Sequence, residues 1–225
     1  MKILLLSILI SINLIGASYA ESYATGFSAY LKGDYETAIK EWKKASEDGL
    51  GGIPSENALG DMYYFADGVT QDYKEAAKWY RKVAYDHNNI PGSVNTAYGQ
   101  FSLAHMYEYG QGVLKDPKEA FKLYTKSAEE GNSDAQYALG KFYSKGKGVL
   151  KNPIEAVNWY TKAADQGNPS AQFSLGAKYI NGDGVEKNLS KGKYWTKKAY
   201  ENPEANPELI GLAEENWNNF KLWNY

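Results

Sequence analysis

The sequence contains no cysteine. This absence excludes disulfide bonds, thiolate metal sites, a cysteine nucleophile and the lipid-modified cysteine of a lipoprotein, while an oxidising compartment stays permissible. Metal ligands are scarce too, because the only histidines are His87 and His105, and neither has a second histidine at a spacing that binds zinc. We therefore expect no metal and no cofactor.

Signatures of catalysis and of nucleic-acid binding are also scarce. The sequence has no Gly-x-Ser-x-Gly nucleophile elbow and no Gly-x-x-x-x-Gly-Lys phosphate loop. Its net charge of −2 argues against a nucleic-acid-binding surface. Gly-x-Gly turns do occur, but they follow predicted helices rather than strands and lack the third glycine of a dinucleotide loop. These observations predict a protein that is not an enzyme and does not bind nucleic acid.

The sequence contains a regular repeat with a period of 36 residues. Tyr107, Tyr143 and Tyr179 lie 36 residues apart, and a Gly-x-Gly-Val follows each of them, at 110–113, 146–149 and 182–185. Self-similarity at a fixed period of this size is typical of stacked repeat architectures.

Each repeat predicts two helices. In the copy at 132–167, Ala135, Leu139 and Tyr143 form one apolar stripe, and the Gly-x-Gly then ends the first helix. Asn152 marks the N-cap of the second helix, and Glu155 completes a capping box. A hairpin of this size cannot bury its own apolar stripe, so it must pack against the next copy.

The recurring pattern of Ala, Leu-Gly, Tyr, Gly-x-Gly-Val, Asp or Asn, Ala, Trp-Tyr and Lys-Ala resembles the Sel1-like repeat, a relative of the tetratricopeptide repeat. The resemblance implies an all-α, right-handed superhelical solenoid of helix-turn-helix repeats with N- and C-terminal capping helices, of the bacterial secreted or periplasmic type. We predict one domain, 21–225, with units at 23–49, 55–86, 97–131, 132–167 and 168–201 and a C-terminal cap at 206–225.

Residues 1–20 have the pattern of a secretory signal peptide. Lys2 supplies positive charge, an apolar run follows, and Ser18 and Ala20 are small residues at the positions that cleavage requires. An uncleaved anchor is the alternative, but the run is shorter than a bilayer-spanning helix. We therefore expect cleavage after Ala20, no membrane insertion afterwards, and a periplasmic or secreted protein.

The regular period breaks near its second copy. Tyr63 and Tyr107 lie 44 residues apart, so that extra residues fall near 86–100, in a polar segment that contains His87. Insertions in solenoids emerge as loops on one face, often the binding face; a neutral surface loop is the alternative. In the fifth unit, Gly192 is expected to weaken the second helix by about 1 kcal/mol.

The repeated aromatic residues are assigned to the core. They are Tyr63, Tyr107, Tyr143, Tyr179, Trp79, Trp159 and Trp195. Truncating Tyr143 to alanine is expected to cost about 3–5 kcal/mol.

Partner binding is predicted at first-helix positions outside the repeat signature, because such residues line the inner groove in the families that the sequence resembles. The candidate contact residues are Asn57, Asp61, Tyr64, Phe101, His105, Glu108, Tyr137, Lys141, Ser144, Phe173 and Ile180, with His87 from the insertion. Repeated aromatic rings would give a peptide apolar contact, and the changing charge beside them would set selectivity. The alternative assigns Phe101, Tyr137 and Phe173 to packing between units.

The sequence thus predicts a non-catalytic scaffold or adaptor that binds another protein or peptide, with a monomer as the expected state. Within that class the resemblance allows an envelope assembly factor, a virulence or host-interaction factor, or an immunity protein against a secreted effector. The rival hypothesis is a β-lactam or cell-wall peptide hydrolase, because Ser-x-x-Lys occurs at 144–147 and 190–193. The partner motifs Ser-Asp-Asn and Lys-Thr-Gly are absent.

Overall fold

The structure, a computed structural model, describes residues 17–47, 52–87 and 93–219, with side chains from residue 21 onward. Within these ranges the chain forms helices joined by turns, and no strand occurs. The predicted all-α fold is therefore confirmed. Most of the predicted leader and the end of the predicted C-terminal cap lie outside the described residues. The chain divides into two compact units between Lys115 and Asp116.

The N-terminal unit contains five α-helices among its described residues. They are α1 (Ala17–Leu31), α2 (Tyr35–Ser46), α3 (Ile53–Phe65), α4 (Tyr73–Arg81), which continues as a π-helix (Lys82–Asp86), and α5 (Val94–Tyr109). Each helix packs on the next, and α5 contacts both α3 and α4. Tyr23, Trp42, Leu59 and Met62 form the centre of the apolar core.

The C-terminal unit contains six α-helices among its described residues. They are α6 (Pro117–Glu129), α7 (Ser133–Lys145), α8 (Pro153–Asp165), α9 (Pro169–Asn181), α10 (Leu189–Tyr200) and α11 (Pro207–Asn219). Each packs on its neighbour in sequence, and α11 also contacts α9. The last helix buries Leu209 and Ala213, and its role as a terminal cap stays a prediction.

The second helix at Asn152 starts at the predicted cap, but its capping box is only half formed. The Asn152 side chain accepts a hydrogen bond from the Glu155 amide at 3.1 Å. The carboxylate of Glu155 does not return to the cap amide but accepts from Asn158. The reason is that the Asn152 amide already donates to the Tyr143 carbonyl, at 2.9 Å. The same bond joins Asn188 to Tyr179, so the cap residue ties the second helix to the first.

The two glycines of each Gly-x-Gly turn serve different purposes. The first ends the first helix in the left-handed region; Ala66 takes this place after α3, with φ 59°. The second also has positive φ, and a Cβ there would meet the backbone of the preceding repeat's second helix. Gly148 would place its Cβ 2.3 Å from the Pro117 carbonyl oxygen, and Gly184 would place its own 2.2 Å from that of Pro153. The second glycine therefore allows close approach between successive repeats.

The signature tyrosines are not the most buried residues of the first helices. Tyr63, Tyr107, Tyr143 and Tyr179 are partly buried. The fully buried side chain stands one position earlier, as Met62, Met106 or Phe142. A tyrosine at the edge of the core keeps its hydroxyl within reach of water. Trp79 and Trp159 are buried as predicted, whereas Trp195 is only partly buried.

Gly192 makes room for a neighbouring side chain in the fifth unit, in addition to its expected effect on helix stability. A Cβ at this position would lie 2.5 Å from Cγ1 of Ile180. Ile180 is buried to 1% exposure, and the corresponding earlier residue, Ser144, is smaller and partly exposed. The expected helix-propensity cost at Gly192 is therefore offset by the isoleucine that fills the space.

Candidate functional site

Five aromatic side chains of the N-terminal unit converge where α3 and α5 end. This aromatic face consists of Tyr64, Phe65, Tyr73, His105 and Tyr109. The Tyr64 ring lies 4.8 Å from Phe65, 5.2 Å from Tyr73 and 6.3 Å from His105, between centroids. The His105 ring lies 4.5 Å from that of Tyr109. Phe65 and Tyr109 remain 55% and 53% exposed, so the cluster presents apolar surface to solvent.

The hydroxyl of Tyr64 holds the aromatic face in place. It donates to Oε1 of Gln111 at 3.0 Å and lies 3.3 Å from Nδ1 of His105. The direction of the Tyr64–His105 hydrogen bond depends on the tautomer of the imidazole. The network joins α3, α5 and the turn after α5, so the rings are ordered before any partner arrives.

Asp61 lies one helical turn before Tyr64 on the same side of α3. Its Oδ1 accepts hydrogen bonds from the hydroxyls of Tyr80, at 2.6 Å, and Tyr98, at 2.7 Å. Burial raises the pKa of the Asp61 carboxyl to about 6, although both hydrogen bonds act in the opposite direction. The carboxyl is therefore mostly ionised at neutral pH. Burial, followed by the charge of Asp61, raises the pKa of both phenols, which stay protonated donors.

The predicted contact residues of the C-terminal unit have a different character. The Tyr137 ring packs against the ring of Tyr160 on the second helix, with 5.9 Å between centroids, and Lys141 Nζ lies 5.3 Å from the Tyr137 ring centroid. Ser144 Oγ accepts from Lys178 Nζ at 3.0 Å. Phe173 is half-buried in the next first helix. This face carries ammonium and hydroxyl groups where the N-terminal unit carries Asp61.

Four of the predicted contact residues are buried, and the expectation that they present a surface is wrong. They are Asn57, His87, Glu108 and Ile180. Asn57 Nδ2 donates to the Asn95 carbonyl at 2.8 Å, and Ile180 fills the space over Gly192. The other predicted residues of the N-terminal unit, Phe101 included, are partly exposed, and their role in binding stays a prediction.

The predicted loop at 86–100 is largely helical where it is described. The π-helix reaches Asp86 and α5 begins at Val94; the tip between 88 and 92 lies outside the described residues. The π-helix brings Lys82 and His87 to the fully buried Glu56, at 2.9 Å and 2.8 Å. His87 is thus a structural partner of Glu56. Sequence reasoning missed Glu56 although the repeat carried a signal, since the equivalent residues of the other copies are Gln100, Gln136 and Gln172 and only this copy has an acid there.

Sequence reasoning also missed Phe65, Tyr73 and Tyr109. A signal was present, since the residue before the turn is aromatic in the two copies that end at Phe65 and Tyr109 but is Lys145 or Asn181 in the later copies.

The serines of the two Ser-x-x-Lys matches have different surroundings. The lysine next to Ser144 is Lys178, and Lys178 Nζ also pairs with Asp183 at 2.5 Å. Lys147 Nζ instead lies 5.3 Å from the Phe142 ring centroid. An ammonium group held by a carboxylate donates protons and does not accept one from the serine. Ser190 is exposed on α10.

Two absences among the described residues bear on function. No group of three or more histidine, aspartate or glutamate side chains within them is arranged to hold a metal ion. No helix within them is both long and apolar enough to cross a bilayer.

Comparison with known proteins identifies the repeat. The Sel1 repeat family matches four segments, 53–86, 97–132, 133–168 and 169–203. The chain belongs to the Sel1 repeat family. Proteins of this family act as protein-interaction scaffolds and are generally non-catalytic.

Solved Sel1 repeat structures resemble the chain over most of its length. A Sel1 repeat protein from Oxalobacter formigenes has 28% identity and a TM-score of 0.78, covering 91% of this chain and 78% of that chain. A protective antigen of uropathogenic Escherichia coli with the same fold has 33% identity and a TM-score of 0.76, covering 89% of this chain and 42% of that chain.

One curated relative is similar over a shorter stretch. An exopolysaccharide production negative regulator of Rhizobium leguminosarum bv. viciae is 42% identical over 73 residues, which is 32% of this chain. The match spans 26% of the regulator's own length.

Proposed function

We propose that this Sel1 repeat protein is a non-catalytic scaffold that binds a partner polypeptide on the aromatic face of its N-terminal unit. The observation that carries the proposal is the exposure of Phe65 and Tyr109 beside rings that the Tyr64 hydroxyl network holds in place. Exposed aromatic residues that are already ordered lose little conformational entropy on binding, and such residues dominate the energy of protein interfaces.

A scaffold role also fits the variety of the relatives. One solved relative is a protective antigen and a partial curated relative is a negative regulator. A binding scaffold accounts for such variety, because variable surface positions choose the partner while the repeat signature keeps the fold. We further propose that the chain is exported to the periplasm or secreted, on the strength of the leader pattern at 1–20.

The hydrolase alternative lacks support from the geometry. A serine nucleophile needs a neighbouring base, whereas the ammonium group beside Ser144 is engaged by Asp183. We therefore propose that the protein binds its ligand without catalysing a reaction of it.

Selection of a random linear-peptide display library on the purified full chain tests the proposal. We expect an enriched peptide whose affinity falls at least about tenfold in the double variant Phe65→Ser and Tyr109→Ser, because both exposed rings of the face are removed. Fluorescence anisotropy of the labelled peptide measures the affinity.

The double variant Leu150→Ser and Ile154→Ser is the matched control. These apolar side chains are 88% and 64% exposed in the C-terminal unit, so the change removes similar surface from another place. We expect binding to stay within about twofold of wild type, since surface substitutions away from an interface have small effects. No enriched peptide, or an equal loss in both double variants, would overturn the proposal.

A further inference from the structure

Asp61 lies beside the aromatic face, and one of its two carboxylate oxygens already accepts hydrogen bonds. Both phenol hydrogen bonds end on Oδ1. Oδ2 accepts no hydrogen bond from the described residues, and it is not among their fully buried atoms. One oxygen is thus held in place while the other still reaches solvent.

The charge of Asp61 has no counter-ion among the described residues. No lysine or arginine among the described residues lies within 4.0 Å of its carboxylate. An ionised, partly buried carboxylate that lacks a cation is electrostatically unfavourable, and a cation supplied from outside relieves this cost.

The other repeats do not carry this feature. The residues that correspond to Asp61 are His105, Lys141 and Ala177, so no second acid occurs at this place. The C-terminal unit instead places Lys141 and Lys178 on its first helices. The carboxylate at this position is therefore a feature of the N-terminal unit.

We propose that Asp61 is the anchor for a basic side chain, arginine or lysine, of the bound polypeptide. This inference rests on the proposed binding function and names the chemistry of the partner. The head group pairs with Oδ2 of Asp61 and can lie against the rings of Tyr98 and neighbouring aromatic residues, as cations do. The aromatic face begins about 4.5 Å further along α3, at Tyr64. A partner segment with a basic residue next to an apolar one therefore fits both features.

Two selections with the same peptide library test the anchor. On the wild-type chain we expect enriched peptides to carry arginine or lysine beside an apolar residue. On the Asp61→Asn variant this basic preference should disappear, because an amide oxygen still accepts from Tyr80 and Tyr98 but carries no charge. Basic residues enriched equally on both proteins would overturn the inference.

An arginine-to-citrulline pair of one selected peptide gives the quantitative test. Citrulline keeps the shape of arginine and removes its charge. We expect the exchange to weaken binding about tenfold on the wild-type chain and by less than about twofold on Asp61→Asn. The variant already lacks the charge-assisted hydrogen bond, so that removing the charge of the peptide has little further effect. An equal loss on both proteins would show that Asp61 does not meet the basic group.

A measurement on the wild-type chain does not require the Asp61→Asn variant to fold normally. Carbon-detected NMR follows the Asp61 carboxyl, whose titratable neighbours Tyr80 on α4, Tyr98 on α5 and Tyr23 and Tyr30 on α1 are all phenols. Saturation with the arginine peptide should lower the carboxyl pKa by about one unit or more, because an adjacent cation favours the charged form. The citrulline peptide should not lower it. An unchanged pKa with the arginine peptide would contradict the anchor.

The outcomes separate this inference from the function on which it rests. One outcome is that the wild-type chain selects peptides without basic residues and that the double variant Phe65→Ser and Tyr109→Ser binds them more weakly. This result would support the scaffold function and contradict the role of Asp61 as an anchor. If no peptide binds the wild-type chain, the scaffold itself fails. If N-acetylarginine amide alone binds as tightly as the peptide, Asp61 serves a small-molecule site and the inference is overturned.

Discussion

Gly148→Ala should destabilise the protein by about 2–5 kcal/mol, the sum of left-handed strain in a residue with a Cβ and of overpacking. Gly148 has φ 69°, and its Cβ would lie 2.3 Å from the carbonyl oxygen of Pro117. Backbone cannot move aside as a flexible side chain can, so the two repeats must separate. Urea unfolding followed by circular dichroism measures the change.

Gly146→Ala, in the same turn, is the control for this substitution. Gly146 has φ 71°, but its Cβ would come no closer than 3.3 Å to Lys151. The chain already carries Ala66 at the corresponding position with φ 59°. We expect a cost of about 1–2 kcal/mol, from backbone strain alone. Equal costs at Gly146 and Gly148 would show that the second glycine has no role in docking successive repeats.

Phe142→Ala should cost about 3–5 kcal/mol, because the substitution opens a cavity at a fully buried ring. Phe142 is 1% exposed and meets Tyr124 of α6 edge to face, with 5.4 Å between centroids. Its removal weakens the contact between α6 and α7 and also the centre of the first helix. The free energy of unfolding in urea is the measurement.

Tyr143→Ala serves as the neighbouring comparison. Tyr143 is only partly buried, although its ring contacts Phe121 at 5.4 Å. We expect it to cost clearly less than Phe142→Ala, at about 1–3 kcal/mol. A larger loss at Tyr143 than at Phe142 would restore the expectation drawn from the sequence alone.

The repeat architecture was accessible from sequence because its signals are local. The period that links Tyr107, Tyr143 and Tyr179 gives the repeat length, and caps such as Asn152 give the helix starts. Both depend on residues close together in the chain, whose chemistry acts in the same way in every copy. Family resemblance then added the interpretation of these hairpins as a scaffold.

The most buried residue of each first helix was harder to predict than the apolar side of the helix. A helical stripe of Leu139, Phe142 and Tyr143 shows which side is apolar but not which residue points most directly inward. That choice depends on the angle at which the next helix packs. The compensation between Ile180 and Gly192 is likewise visible only when the two helices are seen together.

The candidate site was predicted in part. Asp61, Tyr64 and His105 are partly exposed on the first helices, and their role in binding stays a prediction. The pairing of His87 with Glu56 depends on a π-helix that no sequence signal announced. The aromatic face depends on how close the ends of α3 and α5 lie, which is a tertiary property. The phenol contacts of Asp61 have the same origin.

Site-specific photo-crosslinking tests the central claim most directly. The full chain carries p-benzoylphenylalanine in place of Tyr109 or in place of Tyr194, which are 53% and 51% exposed, and each protein is irradiated with the selected peptide. We expect a covalent adduct from position 109 and none from position 194, because the bound segment lies on the aromatic face. An adduct from 194 with none from 109 would contradict the assignment of binding to the N-terminal unit.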